Sequence, residues 1–234
     1  MTNYKTAYSY NSETGEYIGE SKAWESPLEP GIYHLPANAT LTMPPTGGDK
    51  EAACWNKAED KWEFKPDYRG SVFWNKVTRE KVEIKELGIS PTLDQTDLEP
   101  NDPEAEWDGS AWVVPFHVLK ERKLREVTSS FNSYVAGSVE TSLGYVMQFN
   151  ESDSLKIEGS LKLMEARGET VGYLTDANDV TYLNIPINDI RIVQLDMLAA
   201  YRAAHARKQQ LRAEIEAAED TAALEIISIT WGND

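Results

Sequence analysis

A single cysteine, three histidines and no apolar run long enough to cross a bilayer set the first limits on this 234-residue chain. Cys54 alone cannot close an internal disulfide, so no oxidising compartment is implied, and a structural thiol is expected there rather than a nucleophile. His34, His117 and His205 fall in different predicted elements with no second ligand at metal spacing, which argues against zinc. No stretch approaches the ~18 apolar residues that a membrane span needs, and the opening MTNYKTAYSY lacks the basic flank and apolar centre of a secretion signal. A product soluble where it is made is therefore expected. Bases are also scarce: 23 Lys and Arg against 39 Asp and Glu leave a net charge of −16 and a pI near 4.6. Such a field repels phosphate backbones and anionic lipid, so neither nucleic acid nor membrane insertion is expected.

Catalytic signatures are missing too. The chain contains no G-x-S-x-G, G-x-x-x-x-G-K-[ST], H-E-x-x-H or G-x-G-x-x-G, which removes the usual hydrolase, nucleotide, zinc-protease and dinucleotide patterns. Acid pairs such as Glu59/Asp60 and Glu104/Glu106 could flank a glycosidic bond. Among 39 acids, however, such pairs arise without purpose and read as solvated surface. Asp176-Ala-Asn178-Asp179 lacks the remainder of a calcium loop. No enzyme activity, metal or cofactor is expected.

What the chain has in quantity is aromatic residues and turn formers in its first ninety positions. Gly and Pro recur too densely there for long helices, and the intervening groups, such as Trp62-x-Phe64 and Val82-x-Ile84, alternate as half-buried strands do. One phrase repeats. Trp55-Asn-Lys-Ala-Glu-Asp-Lys-Trp62 and Trp74-Asn-Lys-Val-Thr-Arg-Glu-Lys81 share a seven-residue offset with Tyr10-Asn-Ser-Glu-Thr-Gly-Glu-Tyr17, and Trp107-Asp-Gly-Ser-Ala-Trp112 is a shorter version. This pattern predicts hairpins: an aromatic residue, a polar turn, and a returning strand. Cross-strand aromatic pairs favour a ribbon by roughly 0.2–1 kcal/mol each, and each ring buries ~150–250 Å² in a domain too thin for a larger core.

From Gly88 to Asp108 the chain holds seven acids, three prolines and no base, a composition that opposes compaction and predicts an extended solvated linker. Beyond it, His117–Val127 is a short amphipathic helix with apolar positions 118, 119, 124 and 127. A strand follows near Ser138–Asn150, then a helix over Glu151–Arg167 stopped by Gly168, and a hairpin over Glu169–Pro186 divided by the turn at Asp176–Asp179. Asn188 to Ala218 predicts a long helix with Asn188 as its N-cap. Ile190, Val193, Met197, Tyr201, Ala204, Lys208, Leu211, Ile215 and Ala218 form one seam at alternating three- and four-residue steps. A short helix over Thr221–Trp231 closes the chain. The expected fold is α+β: a β-hairpin-rich domain over 1–90, an acidic proline-containing linker with a short hairpin over 91–116, and an α+β domain with a long helix over 117–234.

The candidate partner-binding residues are Trp55, Trp62, Tyr68, Arg69 and Trp74 in the first domain and Met197, Tyr201, Leu211 and Ile215 on the seam. Pro66-Asp67-Tyr68-Arg69-Gly70 reads first as a corner capped by Asp67 with Gly70 left-handed. Tyr and Arg also carry binding energy at interfaces, which is the functional alternative. About thirty residues of helix, roughly 45 Å long, either cross their domain or pack on a partner, so a homo-oligomer through that helix is expected.

The order Tyr8-x-Tyr10, Gly15-Glu-Tyr17-Ile-Gly19, SPLEPGIYHLPANAT, Pro44-Pro45, PDYRG and VEIKELGISP resembles the N-terminal region of tailed-bacteriophage tail-fibre and tail-fibre assembly proteins. ARGETVGYLTDANDVTYLNI followed by the long helix is similar to an uncharacterised domain fused to that region in phage. The resemblance implies a non-enzymatic structural protein of the phage tail, made in the host cytoplasm, located in the virion and docked to fibre or baseplate proteins. A fibre-assembly chaperone and a glycan-binding module for host recognition are the alternatives.

Overall fold

The computed structural model describes residues 3–231, and the chain divides into two compact units, 1–113 and 114–234. Strands make up the first unit and long helices dominate the second, which is the expected α+β class.

In the first unit, β1 (Tyr4–Tyr10) pairs antiparallel with β2 (Tyr17–Glu25), flanked by β3 (Tyr33–His34) and β4 (Ala39–Thr40) in the order β3-β2-β1-β4. The second hairpin joins β5 (Glu51–Asn56) to β6 (Lys61–Pro66). In the third, β7 (Val72–Asn75) lies between β8 (Lys81–Glu83) and β9 (Gln95–Thr96). A fourth pairs β10 (Glu106–Trp107) with β11 (Trp112–Val113).

The repeated phrase is one turn built three times. The side-chain oxygens of Asn11, Asn56 and Asn75 each accept two backbone N–H groups, from Glu13 and Thr14, Ala58 and Glu59, and Val77 and Thr78. Four residues after each asparagine the chain turns left-handed, at Gly15 (φ 77°), Asp60 (φ 52°) and Arg79 (φ 65°). An asparagine that imitates the backbone, followed by a left-handed residue, reverses the chain with the twist that paired strands need. The flanking residues consequently face each other as Tyr10↔Tyr17, Trp55↔Trp62 and Trp74↔Lys81. Asp108 accepts from Ser110 and Ala111 in the shorter fourth turn, where Trp107 opposes Trp112.

The acidic stretch from Gly88 to Asp108 is tied to the third hairpin, in contrast to the solvated linker expected. Gln95 and Thr96 pair with Asn75 and Trp74, and Arg79 Nη1 donates to the carbonyls of Pro103 (2.9 Å) and Ala105 (3.2 Å). Lys76 Nζ donates to Leu93 O at 2.8 Å, and Trp112 Nε1 to Leu98 O at 2.8 Å. These contacts use main-chain carbonyls as acceptors, so the backbone of the stretch is held directly.

In the second unit, α1 (Phe116–Val135) leads into the hairpin of β12 (Ser138–Glu140) and β13 (Val146–Gln148), α2 (Glu151–Arg167), the hairpin of β14 (Val171–Thr175) and β15 (Thr181–Pro186), α3 (Ile187–Ala217) and α4 (Thr221–Glu225). The first helix runs two turns past the expected Val127. Thr128–Asn132 is a poor helix former, but Phe131 and Val135 continue the buried stripe of Val127, and tertiary packing overrides propensity. Helix α2 has the bounds expected, capped by Asn150 accepting from Asp153 N–H at 3.0 Å and stopped at Gly168 with φ 69°. Helix α3 has no side-chain cap: Pro186 occupies the N-cap position and Asn188 lies within the first turn, where its Oδ1 accepts from Arg191. The expected Asn188 cap is thereby corrected. Helix α4 ends at Glu225, short of the expected Trp231. Trp231 instead stacks on Tyr134 with ring centroids 5.9 Å apart and donates from Nε1 to Ser130 Oγ at 2.8 Å.

The seam of α3 is the spine of this unit. Ile190, Val193 and Met197 enter a core with Phe131, Met147, Phe149, Leu161, Met164 and Leu174. Leu211 and Ile215 enter a second core with Val127 and Leu224. Lys208, the polar break in the seam, lies over the Phe131 ring at 4.3 Å.

Candidate functional site

The first two hairpins meet through their aromatic pairs. Trp55 lies 5.2 Å from Trp62 and 6.1 Å from Tyr10, while Trp62 also meets the edge of Tyr17 at 5.9 Å, all as ring-centroid distances. These spacings fall within the range of favourable aromatic contact. Trp55 is buried, and Trp62 is half-buried with Nε1 donating to Thr42 O at 2.8 Å. The hairpins are also joined by backbone: Trp55 N–H donates to Gly15 O at 2.7 Å, and Glu16 bridges Cys54. Burial pushes the Cys54 thiol up from its ordinary value, which keeps it protonated and inert as a nucleophile.

The PDYRG corner is placed against this cluster. Asp67 accepts from Arg69 N–H and Gly70 is left-handed at φ 74°, as the turn reading expected. Arg69, which turn chemistry left unexplained, reaches Glu16 with Nη1 at 3.0 Å and Asp67 with Nε at 2.7 Å. The guanidinium hydrogen bond holds the Asp67 carboxyl below its usual range, and the two carboxylates push Arg69 further up. Arg69 is thus a staple between the corner and the first hairpin. Tyr68 packs edge-on against Phe73 at 5.9 Å. Trp74 is half-buried in the third hairpin, away from the Trp55–Trp62 pair.

The seam residues are placed otherwise than a partner-binding role requires. Met197, Leu211 and Ile215 are all 0% exposed inside the second unit, and Tyr201 is half-buried against Phe131. The helix crosses its own unit and serves two cores. Met197, Leu211 and Ile215 are therefore corrected from partner contacts to core, while Tyr201 keeps part of its surface exposed.

The exposed apolar surface of the first unit lies on residues that sequence reading did not select. Ile18 is 66% exposed and Trp24 45%, while Tyr4 meets Trp24 at 5.3 Å with Lys22 over both rings. A nearby cleft of about 400 Å³ is lined by Tyr8, Tyr17, Glu20, Met43, Pro44 and Pro45. The sequence signals for it were the tyrosines of β1 and the Pro44-Pro45 pair after β4. Among the described residues no three His, Cys, Asp or Glu side chains are grouped to hold a metal, and no helix is long and apolar enough to cross a membrane.

Residues 4–65, the first two hairpins and their aromatic cluster, match the family model described as the tail fiber assembly protein, N-terminal domain. Within the first unit, residues 4–65 are thus similar to a tail fiber assembly domain. The chain is 36% identical over 109 residues to the prophage tail fiber assembly protein homolog TfaE of Escherichia coli (strain K12), covering 47% of this chain and 52% of that protein. It is 29% identical over 161 residues to the homolog TfaR of the same strain, covering 68% and 80%, and 32% identical over 126 residues to the tail fiber assembly protein of Escherichia phage lambda, covering 54% and 62%. The first of these matches thus spans about half of its relative's length. No solved structure matches the chain. The chain is related to the tail fiber assembly proteins of phages and prophages, and tail association is the function class these matches support.

Proposed function

We propose that this protein assists the assembly of a phage tail fibre, binding the fibre protein non-enzymatically through its first unit. The observation that carries this reading is the match of residues 4–65 to the tail fiber assembly domain, on hairpins whose buried rings build the unit and whose outer rings, Tyr4 and Trp24, remain available. Aromatic residues with an apolar body and a polar handle are those on which protein interfaces concentrate their energy. The names of the relatives favour an assembly helper over a structural component of the tail. Trp55 belongs to the core, so its replacement would test folding rather than recognition; Ile18 and Trp24 are the residues to alter.

The test is co-expression with the fibre gene of the same phage. Native chain is expected to raise the yield of soluble, folded fibre and to be captured by it, while an Ile18→Asp, Trp24→Ala variant that keeps its fold is captured weakly. Mass spectrometry of purified particles then separates the roles. Stoichiometric copies in the virion contradict a transient helper, and fibre that folds equally well without the chain contradicts an assembly role.

A further inference from the structure

The second unit carries a basic groove on a chain that is otherwise acidic. Helix α3 has no Asp or Glu from Met197 to Ala213 but carries Arg202, Arg207, Lys208 and Arg212, and α1 has none from Val127 to Val135. The two helices run antiparallel, since Lys120 near the start of α1 donates to Glu216 O near the end of α3 while Phe131 meets Tyr201. Between them lies an open groove of about 430 Å³ lined by Leu124, Arg125, Thr128, Ser129, Asn132 and Arg212.

The cations of this region are not equally engaged. Arg207 is committed to Glu214 at 3.2 Å and Lys208 to the Phe131 ring. Arg125 has only the exposed Glu121 at 3.8 Å, a solvent-screened helix pair of small worth. No carboxylate pairs with Arg212 or Arg202 among the described residues. The groove therefore presents two guanidinium forks beside an apolar patch at Leu124 and the side chains of Ser129 and Asn132.

We propose that this α1–α3 groove is a docking site for an acidic polypeptide segment of a partner protein, with Arg125 and Arg212 as its carboxylate anchors. A guanidinium fork matches a carboxylate in bidentate geometry, which a lysine does not. A short acidic segment feels mainly the local patch, because charges beyond about 8–10 Å are screened at physiological salt. The site lies outside residues 4–65 and goes beyond the fibre-binding reading, so either can fail alone.

The test uses the full chain, a fluorescein-labelled oligo-glutamate peptide and, in parallel, labelled oligothymidylate, followed by anisotropy at low and physiological salt. The peptide is expected to bind, more weakly as salt rises, and Arg125→Glu with Arg212→Glu is expected to weaken it roughly tenfold or more. Retained helical circular dichroism shows that the variant is folded. Should the double reversal lose it, Arg125→Gln with Arg212→Gln takes its place and is expected to weaken binding roughly threefold or more. Absence of peptide binding, a change below about twofold in the folded variant, or binding of oligothymidylate in preference to the peptide would overturn the proposal.

Discussion

Gly15→Ala should destabilise the first unit far more than Gly70→Ala, although the two glycines have nearly the same backbone angle, φ 77° and 74°. Placing an alanine in the left-handed region costs about 1–2 kcal/mol at either position. At Gly70 nothing lies within 4 Å of the added Cβ, so that is the whole effect. At Gly15 the Cβ would stand 2.6 Å from Trp55 O and 3.2 Å from Trp55 N, both main-chain atoms that cannot swing aside. Relief requires the hairpins to part, which stretches the 2.7 Å hydrogen bond from Trp55 N–H to Gly15 O and leaves that amide without its partner. An unpaired buried donor costs about 1–3 kcal/mol. The expected loss is therefore roughly 2–5 kcal/mol for Gly15→Ala against about 1–2 for Gly70→Ala. Urea unfolding followed by tryptophan fluorescence reads the first unit, which holds six of the seven tryptophans. Equal losses within roughly 0.5 kcal/mol, an ordinary spread for unrelated surface changes, would show that the contact between hairpins contributes little.

The same turn position is occupied without glycine at Asp60, so Asp60→Gly should raise the urea midpoint, by roughly 0.5–1 kcal/mol of stability, because the left-handed penalty is removed. Because Arg69 lowers the folded pKa of Asp67, the pair's contribution is full above the unfolded carboxyl value and fades as pH falls through the lower folded value. Acid unfolding of Arg69→Met should accordingly show a smaller loss between neutral and acidic pH than the native chain, and an unchanged acid limb would remove Arg69 as the cause. Trp231→Ala should cost the second unit roughly 2–3 kcal/mol, read by helical circular dichroism, through loss of ring packing on Phe131 and Tyr134 and of the Ser130 hydrogen bond; an unchanged midpoint would mean that the tail adds nothing to the core.

Local patterns proved readable wherever side chains report directly on the backbone. The seven-residue offset of flanking residues around a polar turn marked the hairpins, Gly168 marked the end of α2, and Pro186 the start of α3. Tertiary relations were less visible. The length of α1 depended on Phe131 finding Tyr201 and His205, and the restraint of the acidic stretch depended on carbonyls that composition cannot report. The seam of α3 was identified residue by residue, but periodicity shows only that a face is apolar, and its cover came from α1, α2 and two hairpins of the same unit. For the candidate site, the tryptophan repeat led to the core of the first unit, whereas the exposure of Ile18 and Trp24 in β2 depends on which face of the sheet is covered, which the residues themselves do not report.

Since asparagine and the left-handed residue close each hairpin, helped at Thr14 and Thr78 by hydroxyls that accept from the Glu16 and Glu80 N–H groups, the residue at each apex is left with little duty in reversing the chain. Ser-Glu-Thr, Lys-Ala-Glu and Lys-Val-Thr already occupy the same place, and Val77 at one apex is 81% exposed. Substitution at an apex such as Val77 can therefore change what the loop presents to solvent while the stem persists, whereas Lys76 beside it is held by its hydrogen bond to Leu93 O.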